Sequence, residues 1–155
     1  MVTLGVFKVK LIKIKPTRPP STVSRPPFTV MLLLLALNLT ISHITQAAGQ
    51  INIAVYDRQD AFMDLKKARV LRNISVQAAG NLQVLLADLP PGSYAFSCYH
   101  DINGNGKLDT NWLGIPTEPY GFSNNARPKF RAPNWDEAKI YWNGRDAVNI
   151  RLDTW

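Results

Sequence analysis

One cysteine, Cys98, stands in the whole chain of 155 residues, so no intrachain disulfide can hold the fold. Histidine is nearly as scarce, with His43 and His100 alone. That excludes a His-rich zinc site and gives a Ser-His-Asp or Cys-His arrangement few places to start. No glycine-rich phosphate loop or dinucleotide fingerprint occurs. Charged residues make up 19% against 46% apolar, a globular composition and not a disordered one. The length suits one domain with an appendage.

Acidic residues are absent from residues 1–47, which carry Lys8, Lys10, Lys13, Lys15, Arg18 and Arg25. After Ala47 stand 12 basic and 11 acidic residues, so the formal charge of +7 falls to +1 without that segment. The basic, proline-rich stretch runs into an apolar run at 30–37 that continues weakly to Ile41. Small and polar residues follow, ending Thr45-Gln46-Ala47-Ala48. A positive start, a short apolar run and a small-residue exit are the parts of a secretory signal peptide. A membrane anchor, the alternative, needs about 20 apolar residues, and this run is shorter and contains Asn38. Residues 1–47 are therefore expected to be removed, with His43 among them. Residues 48–155 are expected to form a single exported domain with no membrane span. Its near-neutral charge speaks against nucleic acid, unless Arg127, Lys129, Arg131 and Lys139 share one exposed face.

From Gly49 onward apolar residues recur with period two. Ile51, Ile53 and Val55 form one stripe, and Val70, Ile74 and Val76 a second, interrupted by Arg72. Leu82, Val84 and Leu86 form a third, and Tyr94, Phe96 and Cys98 a fourth. Ile140 with Trp142 is a fifth; Val148, Ile150 and Leu152 are a sixth. Turn signals at Ala79-Gly80-Asn81, Pro90-Pro91-Gly92 and Asn143-Gly144 separate them. The pattern predicts an all-β sandwich of six or seven strands. Cys98 shares its stripe with two aromatics and reads as a buried apolar thiol. Residues 57–68 read as a helical turn or an edge crossing.

Residues 101–137 do not alternate. They are rich in Gly, Asn and Pro and hold Trp112, Tyr120, Phe122, Phe130 and Trp135. So many aromatics argue for one long ordered loop, expected to fold back over one end of the sandwich. At its start, Asp101-Ile-Asn103-Gly-Asn105-Gly106-Lys107-Leu108-Asp109 has the spacing of a calcium loop. Oxygen donors stand at positions 1, 3, 5 and 9, Gly at 6, and the Lys107 carbonyl at 7. Position 12 is Trp112 where a bidentate Glu belongs, and Glu118 is the nearest substitute. The alternative is a turn in which Asn and Asp side chains bond to their own backbone.

The residues Asp88-Leu89-Pro90-Pro91-Gly92-Ser93-Tyr94-Ala95, then His100 through Asp109, then the stretch from Gly114 to Ala126, resemble the secreted bacterial family known as domain of unknown function 2141. Pro133-Asn134-Trp135-Asp136-Glu137-Ala138 also fits its pattern, and the match spans about residues 50–152. The resemblance implies an exported protein of Gram-negative bacteria, periplasmic or secreted, with a prealbumin-like or carboxypeptidase-regulatory-like β-sandwich. It carries no activity and no catalytic residues.

The sequence therefore points to a noncatalytic exported β-sandwich acting through loop 101–137. Trp112, Tyr120, Phe122 and Trp135 are its candidate surface for an envelope protein or a carbohydrate. Ca²⁺ is the one candidate cofactor. The competing reading is a small exported hydrolase using His100 with Asp101 or Glu118, and it needs those groups in one cleft.

Overall fold

A computed structural model describes residues 36–155. The basic stretch and most of the apolar run lie outside the described residues. The chain folds as two packed β-sheets, with eight strands among the described residues. The first sheet holds β1 (Leu37–Ile44), β4 (Gly80–Leu86) and β8 (Val148–Arg151) in the order β4-β1-β8. The second holds β2 (Gln50–Tyr56), β3 (Val70–Ser75), β5 (Gly92–Asp101) and β6 (Tyr120–Phe122) in the order β3-β2-β5-β6. β7 (Ile140–Trp142) pairs with the start of β5. All six stripes of the sequence lie on strands or directly beside them, and the all-β sandwich is as expected. Their apolar faces meet in one core with Leu37, Leu39, Ile51, Ile53, Phe96 and Ile150 inside.

The sandwich includes β1, which precedes the domain start expected at residue 48. β1 is the central strand of its sheet, antiparallel to β4 and parallel to β8. Leu37, Leu39, Ile41 and Ile44 are buried in the core. Burying four such side chains contributes about 6–12 kcal/mol, against a typical total stability of about 5–15 kcal/mol. A cut after Ala47 or Ala48 removes that contribution and leaves β4 and β8 without the strand that joins them. His43 lies in β1. It sits at an irregularity in β1 with φ +68°, and its Nδ1 lies 2.9 Å from the Leu152 carbonyl and 3.1 Å from Asp153 Oδ1.

Residues 101–137 start where β5 ends. They carry β6, a 3-10 turn at Ser123–Asn125 and a single helical turn, α1 (Trp135–Ala138). Part of the segment lies over the outer face of the five-stranded sheet, of which β6 is an edge strand. There Phe122, Trp135 and Ala138 pack with Ala54, Tyr56, Ala61 and Ala95 in a second core. β2 and β5 are thus buried on both faces at this end, which is why Tyr56 and Ala95 are inside despite standing on the face opposite Val55 and Phe96. Ser123 ties the two layers: its Oγ accepts from Phe96 N at 2.9 Å and donates to the Ala138 carbonyl. β6 also crosses close to β8, and a Cβ on Gly121 would lie 2.6 Å from the Arg151 carbonyl.

Candidate functional site

The Asp101–Asp109 loop closes on itself. Asp101 ends β5 on the sheet's outer face and is fully buried. Its Oδ2 accepts from Gly106 N at 2.8 Å and Gln50 Nε2 at 3.0 Å, and its Oδ1 from Asn105 N at 3.0 Å. Burial alone would raise its pKa, but these donors outweigh it and hold the carboxyl below the ordinary range. Asn103 Oδ1 accepts from Asn105 N and Asn105 Oδ1 from Lys107 N, at 3.0 and 2.8 Å. Both amide groups then donate to Asp109, at 2.7 Å from Asn103 and 2.9 Å from Asn105. Glu118 is buried and bridges the ends of the loop, accepting from Ile102 N at 2.8 Å and Asp109 N at 3.0 Å.

This donor set does not fit a cation as arranged. The side-chain oxygens of Asp101, Asn103, Asn105 and Asp109 face N–H groups, and two NH₂ groups point at Asp109 where oxygens would have to converge. Both amides would have to turn round to hold Ca²⁺. Among the described residues no group of three or more His, Cys, Asp or Glu side chains is placed to hold a metal ion.

His100 and Asp101 are consecutive on β5 and point to opposite faces. His100 is fully buried on the core side. Its Nε2 donates to the Ala48 carbonyl at 2.7 Å, and its Nδ1 is buried without a partner. None of the cavities described below is lined by His100, Asp101 or Glu118, so the three groups of the hydrolase reading share no cleft there. Cys98 is likewise buried. Burial pushes its thiol up to about 12, with the Gly121 carbonyl 3.6 Å from Sγ.

The open feature lies at the other end of the loop. A groove of about 350 Å³ runs between residues 108–116 and 130–132, with Leu113, Ile115, Phe122, Phe130, Met63 and Trp155 among its lining. Phe130 is 85% exposed, Leu113 60% and Trp155 48%. The rings of Phe130 and Trp155 lie 5.9 Å apart. Arg127 braces this wall. Its guanidinium sits 4.8 Å from the centre of the Tyr120 ring and donates to the carbonyls of Tyr120 and Thr154, both at 3.0 Å. Tyr120 and Asp153 exchange backbone hydrogen bonds at 3.0 and 3.1 Å, which brings the chain end to the groove. Met63 and Phe130 both have positive φ, +68° and +62°. Bulky residues adopt that conformation only when their surroundings impose it, at a cost of about 1–3 kcal/mol each.

The candidate surface set is divided by this geometry. Tyr120 and Phe122 line the groove. Trp112 is 90% exposed but stands outside it. Trp135 is not a surface residue: it is only 8% exposed, packed edge-on to Phe62 at 6.0 Å in the second core. Leu113, Ile115, Phe130, Trp155 and Met63 were not in that set. They come from four separate stretches of chain, and only their apolar character marks them in the sequence.

No helix among the described residues is long and apolar enough to cross a membrane. No curated protein and no solved structure matches the chain. The profile of a bacterial family described as "Uncharacterized protein conserved in bacteria (DUF2141)" matches residues 39–150, which includes β1 from Leu39 onward. With well over half of its length matched from the first strand to the last, the chain belongs to the DUF2141 family.

Proposed function

We propose that this protein is a noncatalytic binding module of the bacterial envelope that docks an apolar segment of another protein in the groove beside Phe130 and Trp155. The observation that carries this reading is a set of large apolar side chains left exposed around one concavity. Exposed apolar surface of this kind is costly in water and marks interaction sites. The strained backbone at Met63 and Phe130 holds both side chains at the rim. The lining is mostly apolar and offers few hydrogen bonds, which favours a protein segment over a sugar at this place.

In this reading the Asp101–Asp109 loop is structural and fixes the start of the segment that forms the groove. Export is the second part of the proposal. The basic residues 8–25 and the apolar run up to Ala36 act as the leader, which ends before Leu37 because the sandwich needs β1. A photo-crosslinking amino acid at Phe130, in cells that make the protein, tests the docking. A discrete protein adduct is expected, lost when Leu113→Asp is added. The same probe at Leu85, exposed on the opposite sheet, is expected to give none. Equal adducts at both positions, or none at Phe130, would sink the reading.

A further inference from the structure

Trp112 and Phe130 stand on the two loops that flank the groove, and both rings face water: Trp112 is 90% exposed and Phe130 85%. The first loop is built to hold its tip out. Thr110 and Pro116 form a β-bridge, and Asn111 N donates to the Ile115 carbonyl at 2.9 Å. Asn111 Oδ1 accepts from Leu113 N at 2.9 Å and from Ile115 N at 3.1 Å. Residues 110–116 carry no charge, and Trp112 and Leu113 form the exposed tip of this turn. Rings left in water on an ordered turn mark a surface that meets something else.

The second loop surrounds its exposed ring with cations. Residues 119–135 hold Arg127, Lys129 and Arg131 and no Asp or Glu. Arg131 is already tied to Glu137 at 2.7 Å. Arg127 lies 4.0 Å from Asp153, which Arg151 holds more closely at 3.3 Å. Lys129 is exposed and makes no ion pair among the described residues. A second concavity, of about 340 Å³, adjoins the Phe130 and Trp155 rings and is lined by Arg127 and Lys129 with no acidic residue. The chain from Leu37 onward has 12 basic and 11 acidic residues, so this excess of cations is local.

Exposed aromatics beside unopposed cations are the pattern of an interfacial membrane contact. Trp rings favour the headgroup level, and Lys and Arg attract anionic lipid. A protein segment in the groove leaves Trp112 uncovered, because that ring stands outside the lining. A lipid surface can meet both tips, since Leu113, the neighbour of Trp112, and Phe130 line one groove. We propose that this face rests on a bilayer containing anionic phospholipid. Trp112, Leu113 and Phe130 enter the headgroup layer, and Lys129 and Arg127 meet lipid phosphates. The inference goes beyond the docking reading and does not depend on it; a segment bound in the groove would lie at the lipid surface.

The protein purified from the cells that make it, carrying the environment-sensitive dye nitrobenzoxadiazole on one introduced cysteine, tests this. Cys98 is buried and does not compete for the dye. The vesicles are phosphatidylcholine alone, or phosphatidylcholine with phosphatidylglycerol as about one lipid in three. With Trp112→Cys and with Phe130→Cys, a blue shift and brighter emission are expected on the mixed vesicles. With Leu85→Cys, on the opposite sheet, no change is expected. Lys129→Ala should raise the vesicle concentration needed for the response at position 112 about fivefold, the share of one cation near an anionic surface. Trp112→Ser, at a ring the fold does not bury, should raise that needed at position 130 about tenfold through lost apolar contact. The proposal is overturned if neither tip responds, if Leu85→Cys responds equally, or if phosphatidylcholine alone does as well as the mixture. A response to glycerol 3-phosphate equal to that on vesicles would also overturn it, in favour of a soluble anion. A protein adduct at Phe130 in cells, with no dye response on vesicles, would leave the docking reading standing and refute this one.

Discussion

At Gly49 the backbone turns with φ +64°, and a Cβ there would lie 2.0 Å from the Asp101 carbonyl oxygen and 2.7 Å from that of Ile102. Those atoms belong to the start of the Asp-Asn loop, so one glycine sets how closely β2 approaches it. Gly104 has a similar φ of +73° but open space around it. Gly49→Ala is expected to cost at least about 2 kcal/mol, from backbone strain plus a clash with immovable atoms. The thermal midpoint should then fall by roughly 8 °C or more, and by clearly less for Gly104→Ala. Equal shifts in the two variants would show that the close approach does not matter. This contact was not legible in the sequence, where Gly49 reads only as a residue before a strand. The loop itself was legible, because Asp101, Asn103, Asn105 and Asp109 stand at turn-forming spacing. That Glu118 staples its two ends depends on a separation of 16 residues and on the fold between them.

Among the elements, α1 is a single turn and cannot hold itself by helix propensity. A capping box holds it: Asn134 Oδ1 accepts from Glu137 N at 3.0 Å, and Glu137 Oε2 accepts from Asn134 N at 2.8 Å. Arg131 adds two bonds to the same carboxylate, each of 2.7 Å. The Arg131 bonds, followed by the Asn134 N–H, lower the Glu137 pKa to about 2 from an ordinary value of 4.5. A depressed carboxylate favours the fold above its unfolded pKa, and that support is lost as pH falls through the folded value. The amides of residues 131–138 are therefore expected to titrate with a midpoint near pH 2, moving toward 4.5 in Arg131→Met. An NMR midpoint near 4.5 in the unaltered protein would contradict the clamp. The same scale explains which strands the sequence disclosed. β2, β4 and β8 alternate cleanly, and turn residues bound them. β6 is three residues long, too short for any period to register. β1 has strict alternation in Leu37-Asn38-Leu39-Thr40-Ile41-Ser42, but it follows directly on the leucine run, and the run hides it.

For the whole molecule, the leucine run and the first strand meet in one stretch of sequence, and in the proposed reading only the strand stays in the working domain. The charge excess belongs to residues 8–25 in either case, so the domain from Leu37 onward is still nearly neutral, with the same 12 basic and 11 acidic residues. What changes is the architecture. β1 joins β4 to β8, and its end holds Leu152: Leu152 N donates to the Ser42 carbonyl at 3.0 Å. Leu152 and Asp153 in turn carry Trp155 to the groove, so the groove rests on residues that a cut after Ala47 would delete. The groove was the least legible feature, because Met63, Leu113, Phe130 and Trp155 come together only in the folded chain.

Native-state hydrogen exchange on the full chain tests this claim most directly, by comparing the amides of Leu37–Ile44 with those of β2 and of residues 45–48. If residues 37–44 belong to the working domain, their paired amides exchange as slowly as those of β2, through global unfolding alone. Exchange as fast as that of residues 45–48 would contradict it and return the domain's start to residue 48.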